Sequence, residues 1–263
     1  MSQSSSVSPT KYHKYIKEGF FAWTLTSNGY KYMTLNAVLL WRKAVQNVPL
    51  CVFCSDKASY QFLYREGVNC VLIDGLLQDY GPQIVPFGSK QFSNLNVLKL
   101  KLLSTFAEDK EIQQCLYLDG DIAIYKDIVA DIKERLKEGP LLMPCDEKTP
   151  TCISETSRVA CPNVCSGLIA WNHGADGGIF KITEKEVWNA KPEDQVWVNY
   201  ALEKLKIPVI VLSRTLYPNG ARASLTKNTP ELANQAICLH YNYRVGNSKK
   251  EDMKRFGDWI LPY

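Results

Sequence analysis

Short, continuously apolar runs alternate with longer amphipathic stretches through the first half of the chain. Phe20-Phe21-Ala22-Trp23-Thr24-Leu25 has no polar face, which predicts a strand over 20–25 buried on both sides, and Ser27-Asn28-Gly29 ends it with turn residues. A helix is expected over about 30–46. A second apolar strand, 50–54, is closed by Ser55-Asp56, and a further helix runs to about 65 before a third strand at 69–73. Strands separated by helices need crossovers, so the sheet is expected to be mostly parallel, with ligands gathering at the carboxyl ends of its strands. The polar residues that close those strands are therefore the ones with candidate chemistry.

From about 94 to 107, Leu95, Leu98, Leu102, Leu103 and Phe106 fall on one helical face. The strand that follows, 115–118, ends in Asp119-Gly120-Asp121, with the apolar pair Ile122 and Ala123 beyond it. The second half is less regular. A Pro- and Cys-rich stretch fills 144–165, followed by a short strand at 167–171, a helix over about 193–205 and a strand at 209–212. There is no internal repeat and no low-complexity linker. The simplest organisation is a polar tail over 1–17 and a single domain over 18–263, with a nucleotide-side half to about 125 and an acceptor-side half from about 126.

Composition narrows the function. With 263 residues, 46% hydrophobic and 22% charged, the chain can bury a sizeable core and is not disordered. A net charge of +4, dispersed among acids, excludes nucleic acid as a main partner and suits a small anionic ligand. The Ser-rich residues 1–10 lack the basic flank and apolar run of a signal peptide, and no stretch approaches the ~20 apolar residues of a membrane span. A cytoplasmic enzyme without a membrane span is the expectation. Of nine cysteines, Cys51, Cys70, Cys115 and Cys238 sit in apolar runs, as reduced structural thiols do. Cys51 and Cys54 have CxxC spacing, but strand alternation sends them to opposite faces. Cys145, Cys152, Cys161 and Cys165 are more clustered; a disulfide or metal stays open there, with structural thiols favoured.

Two carboxylates on a strand-terminal turn, with a small residue between them, can hold a hard divalent cation that also grips two phosphates. A solvated turn is the alternative. The run Leu116-Tyr117-Leu118-Asp119-Gly120-Asp121-Ile122 resembles the DXD signature of glycosyltransferases with the GT-A fold, and within them the nucleotide-diphospho-sugar transferase family. Further features fall in that family's order: the strand and turn over 24–30, the helix carrying Lys99 and Lys101, Ser166-Gly167-Leu168, Glu193-Asp194-Gln195 and His240-Tyr241-Asn242. The resemblance spans about 18–245.

That resemblance implies an α/β, Rossmann-like GT-A fold with a mixed, mostly parallel central sheet flanked by helices. It implies that Asp119 faces ribose and metal, that Asp121 ligates Mn²⁺ or Mg²⁺, and that His240 completes the shell. Thr24, Asn28, Tyr30 and Asp56 would hold base and ribose, Lys99 and Gln195 would meet the donor, and Asp194 would be the acid nearest the reacting carbon, as base or as orienter. Lys249, with Lys250, would close on the diphosphate. Each has a plainer alternative: a packed histidine, a helix cap at Asp56 or at 193–195, a solvated charge run at 249–250. His173 would touch an acceptor or cap a turn. The implied activity is transfer from a nucleoside-diphosphate sugar, UDP-sugar by frequency, to a glycan or protein acceptor, leaning toward retention. A nucleotidyltransferase would carry a Gly-rich basic loop where this chain has Thr26-Ser27-Asn28-Gly29-Tyr30, and a Ca²⁺-dependent sugar-binding module would need more oxygen ligands nearby. A strand-end carboxylate is not expected to belong to the core, so Asp121→Ala is expected to leave the fold intact.

Overall fold

A computed structural model describes residues 7–73, 81–146, 163–175, 178–180 and 193–263. Its main sheet has seven strands: β1 (Phe20–Thr26), β2 (Leu50–Cys54), β3 (Cys70–Leu72), β4 (Gln114–Leu118), β6 (Leu141–Pro144), β7 (Leu168–Asn172) and β8 (Ile210–Leu212), in the order β3-β2-β1-β4-β7-β6-β8. All neighbours pair in parallel except β7, which runs antiparallel to both β4 and β6. A two-stranded sheet pairs β5 (Ile122–Ile124) with β9 (Cys238–His240), Ile122 opposite His240. The helices are α1 (Lys31–Ala44), α2 (Lys57–Arg65), α3 (Lys90–Glu108), α4 (Ile128–Arg135), α5 (Asp194–Leu205), α6 (Gly220–Lys227), α7 (Pro230–Gln235) and α8 (Ser248–Arg255). The sheet is thus mixed and mostly parallel, with helices flanking it.

Strand alternation divides the core into two layers. Phe20, Ala22, Leu116 and Leu118 pack in one cluster with Leu35, Val38 and Trp41 of α1; Phe21, Trp23, Cys115 and Tyr117 pack in the other with Leu98, Leu102 and Phe106 of α3. Cys51 belongs to the second layer and Cys54 to the first, as strand geometry requires. The seven described cysteines are free thiols; Cys152 and Cys161 lie outside the described residues. α3 begins at Lys90, earlier than the apolar stripe suggests, because the Ser89 hydroxyl accepts the Phe92 N–H at 3.2 Å and caps it. α6, α7 and α8 carry few apolar residues, and α4, apolar at Ile128, Val129 and Ile132, is only eight residues long; none of the four was expected from the sequence.

The expected polar tail needs correction for residues 7–17. Two short 3₁₀ turns, Pro9–Lys11 and His13–Tyr15, place Tyr12 against Phe21, Phe53 and Phe106, with ring centroids 5.0–6.1 Å apart. Its hydroxyl donates to Asp109 Oδ2 at 2.5 Å, and His13 Nε2 lies 2.8 Å from the same oxygen. One buried aromatic with a satisfied hydroxyl anchors a segment whose composition is otherwise that of a tail. No described helix is long and apolar enough to cross a membrane.

Candidate active site

The strand order reverses between β1 and β4, and a cavity of about 410 Å³ opens at the carboxyl ends of those strands. From β1 come Thr26 and Ser27, and from the first turns of α1 Tyr30 and Thr34; β4 delivers Tyr117, Asp119, Gly120 and Asp121. Cys165, Ser166 and Gly167 lead into β7, Asp194 and Gln195 open α5, His240 ends β9, and Lys249 sits in the first turn of α8. Segments far apart in the chain thereby face the Asp119-Asp121 turn.

Asp119 divides its two oxygens. Oδ1 accepts from the Tyr117 hydroxyl at 2.5 Å and from Lys99 Nζ at 3.2 Å, while Oδ2 lies 3.6 Å from His240 Nε2. Tyr117, two residues earlier in the same strand, shares a face with Asp119. Asp121 is 5% exposed; Oδ1 lies 3.2 Å from His240 Nε2, and Oδ2 pairs with Lys249 Nζ. Burial alone would raise the Asp121 pKa, but Lys249 and His240 outweigh it and hold the carboxyl far below the usual range. Burial likewise opposes charge on His240, yet Asp121 lifts its pKa well above normal. Asp121→Ala, expected from the sequence to spare the fold, would leave Lys249 and His240 without this shared partner, at a cost of up to about 3–5 kcal/mol for a broken buried pair.

Asp119, Asp121 and His240 each offer one ligand atom, all within 4.8 Å of one another. Two carboxylate oxygens and an imidazole nitrogen suit a small divalent ion. The surroundings are shaped to the triad, since a Cβ on Gly167 would meet His240 Cε1 at 2.1 Å and Asp119 Oδ2 at 2.9 Å. His240 Nδ1 lies 3.4 Å from the Cys165 sulfur, so the ring is held from both nitrogens. Gly120 is small for a different reason from close approach to a ligand: a Cβ there would press on Thr34 Oγ1 of α1 at 2.7 Å.

Beside the triad lies a second charged knot. Lys99, on α3, reaches Asp194 Oδ2 at 2.5 Å, the Ser166 carbonyl at 2.7 Å and the face of Tyr117 at 4.3 Å from the ring centroid. Burial would discharge Lys99, but Asp119 and Asp194 keep its pKa raised; burial would raise Asp194, but Lys99 and the Ser166 hydroxyl, 2.7 Å away, keep it lowered. Gln195 Nε2 donates to Asp146 Oδ2 at 2.8 Å. Because a carboxylate only accepts, the amide must present its NH₂ there, leaving Oε1 as the end free of Asp146. The Tyr30 hydroxyl donates to the Val85 carbonyl at 3.2 Å, and burial pushes its pKa up to about 12.

Of the residues singled out from sequence, Tyr30, Lys99, Asp119, Asp121, Asp194, Gln195, His240 and Lys249 meet at this cavity. Thr24, Asn28 and Asp56, expected to hold base and ribose, do not line it. β1 continues to Thr26, so Thr24 is interior, 1% exposed, with an unpartnered hydroxyl. Asp56 caps α2 through the Ser59 N–H at 2.7 Å and accepts the Asn28 N–H at 2.8 Å, bracing the loop from behind. Thr26 and Ser27 stand at the cavity in their place. Lys250 lies over the Trp259 ring at 4.8 Å, and His173 is exposed, with neither lining the cavity. Sequence reading missed Tyr117, which period-two alternation could have found, and Asp146, for which no local signal exists; Cys165 was noted only within the cysteine cluster, not as a neighbour of His240.

The family described as nucleotide-diphospho-sugar transferase matches over residues 46–253. No curated protein matches significantly in sequence. Among solved structures, the chain is similar to the galactosyltransferase LgtC crystallised with donor and acceptor sugar analogues, at 14% identity and a TM-score of 0.59, covering 92% of this chain and 97% of LgtC. It is also similar to the bifunctional glycosyltransferase WbbM (11% identity, TM-score 0.55, 94% of this chain and 51% of that one). A third likeness is to apo GlyE of Streptococcus pneumoniae TIGR4 (15% identity, TM-score 0.52, 92% and 61%). At these identities the likeness is one of fold.

Proposed function

The chain belongs to the nucleotide-diphospho-sugar transferase family and has the GT-A glycosyltransferase fold, and from that premise we propose that it moves a glycosyl group from a UDP-sugar to a hydroxyl of a glycan or protein acceptor, with Mn²⁺ or Mg²⁺ and with retention. The observation that carries this reading is the convergence of Asp119, Asp121 and His240 at the switch-point cavity, beside the Lys99–Asp194 pair. When bound, the ion supplies charge neutralisation for the departing diphosphate. Thr26, Ser27 and Tyr30 receive the base and ribose at the end of β1, and Lys249 meets the diphosphate. Asp194 and Gln195 hold the donor sugar from the other wall.

Asp194 supports retention by what it cannot do. Its carboxylate is tied to Lys99 and Ser166 and its pKa is lowered, so it is a poor general base for an acceptor hydroxyl near neutral pH and serves as an orienter. The acceptor proton then goes to the leaving diphosphate, and the acceptor approaches from the donor's leaving face. Calorimetric titration with UDP and with GDP, each in Mn²⁺ and in EDTA, tests the reading. UDP is expected to bind in Mn²⁺ and to weaken at least about tenfold in EDTA; nucleotide binding indifferent to EDTA would sink it.

A further inference from the structure

We propose that the site takes its divalent ion only in company with a diphosphate, because Lys249 acts as a tethered counter-cation that occupies Asp121 until a diphosphate draws it away. The inference rests on the metal–nucleotide reading above. It begins from the oxygens a cation would have to share. Asp121 has one oxygen toward His240 Nε2 and the other on Lys249 Nζ, and Asp119 has given Oδ1 to Tyr117 and Lys99. Asp119 Oδ2 and Asp121 Oδ1, the two oxygens toward His240, are the ones on neither lysine. An arriving ion that takes Asp121 Oδ1 therefore draws on the same carboxylate charge that holds Lys249, and Asp121 is the more deeply buried of the triad's two carboxylates.

The charge count says the same. Once His240 ligates as the neutral imidazole, three carboxylates (Asp119, Asp121, Asp194) face two ammonium groups (Lys99, Lys249), a net charge of −1 before the ion is counted. A dication alone turns that to +1 and sets itself against Lys249 in a partly buried site, where screening is weak. A diphosphate adds anionic oxygens that can hold the ion and Lys249 together. The two lysines are not equivalent in this exchange. Lys99 is fixed by Asp119, Asp194, the Ser166 carbonyl and the Tyr117 ring. Among the described residues Lys249 pairs with Asp121 alone, from the first turn of α8, three residues after Gly246 in the left-handed region at φ +58. Buried Met253 and the 2.6 Å Arg244–Asp252 pair hold α8 itself in place, so the exchange needs the lysine side chain to swing and no more.

Ion and diphosphate must then raise each other's affinity by the same factor. The test is Mn²⁺ binding followed by the electron paramagnetic resonance of the free ion, with and without UDP, on the wild type, Lys249→Met, Lys249→Arg and Asp121→Asn, each checked for folding by circular dichroism. Lys249→Met is expected to bind Mn²⁺ alone about tenfold or more tighter than wild type while losing most of the enhancement by UDP. Lys249→Arg, which keeps the cation, is expected to resemble wild type. Lys249→Met binding free Mn²⁺ no tighter than wild type overturns the counter-cation. Mn²⁺ binding that survives Asp121→Asn unchanged overturns instead the metal-site reading beneath it, so the two failures are distinguishable.

Discussion

The two walls of the cavity are held by different forces. Tyr30, Asp119 and Asp121 hang from the ends of β1 and β4, central parallel strands whose backbones are paired on both sides. Gln195 and Lys249 come from a helix start and the first turn of α8 and reach the centre largely through side-chain bonds, Gln195 to Asp146 and Lys249 to Asp121, with Asp194 tied to Ser166 beside them; His240 joins them from β9, whose backbone pairs only with the minor strand β5. A wall set by backbone ladders keeps its shape when a side chain changes; a wall set by side chains does not. Substitutions at the seam between them should therefore cost most, and substitutions inside the ladder-held wall least.

The largest effect on binding is expected from Gly167→Ala. Its methyl would displace His240 and Asp119 from each other, so Mn²⁺-dependent UDP affinity, measured by calorimetry, should fall about 100-fold while circular dichroism stays native. Near-wild-type affinity would mean the second wall yields more easily than its packing implies.

Next is Asp194→Asn, which cuts the tie from the second wall to Lys99 and should cost about 3–5 kcal/mol in urea unfolding near neutral pH. The sign follows from both partners. Asp194 is lowered in the fold, so its contribution is present above the unfolded carboxylate pKa of about 3.9 and fades as pH falls through the lower folded value. Lys99 is raised, so its contribution is present below about 10.4 and fades as pH rises through the higher folded value. The gap between wild type and variant should be flat from about pH 5 to 9 and close below about pH 4. A gap that widens in acid would place the interaction elsewhere.

The smallest effect belongs to Thr24→Val, inside the ladder-held wall. The buried hydroxyl has no partner, so removing it should leave UDP affinity unchanged and stabilise the protein by up to about 1 kcal/mol. A loss of nucleotide affinity would return Thr24 to the binding surface.

The same contrast marks what could be read from residues alone. β1, β2 and β4 are legible because parallel strands buried on both faces must be apolar throughout, and Asp119-Gly120-Asp121 stands out as the polar end of one of them. Even Tyr117 was within reach, since alternation places it on the face of Asp119. β6 is only four residues long and opens a Pro- and Cys-rich stretch, so nothing local marks Asp146, just beyond it, as a cavity residue. Burial and periodicity are local properties of the chain, so the α/β rhythm, the mostly parallel sheet and the carboxylate turn are legible in the residues. Tertiary structure alone decided that β9 pairs with β5 to bring His240 to Asp121, that Gly167 must lack a side chain, and that Lys249, 128 residues from Asp121, shares its carboxylate. Those depend on which distant segments pack together, and that is settled by the summed burial of the whole core rather than by any one of its parts.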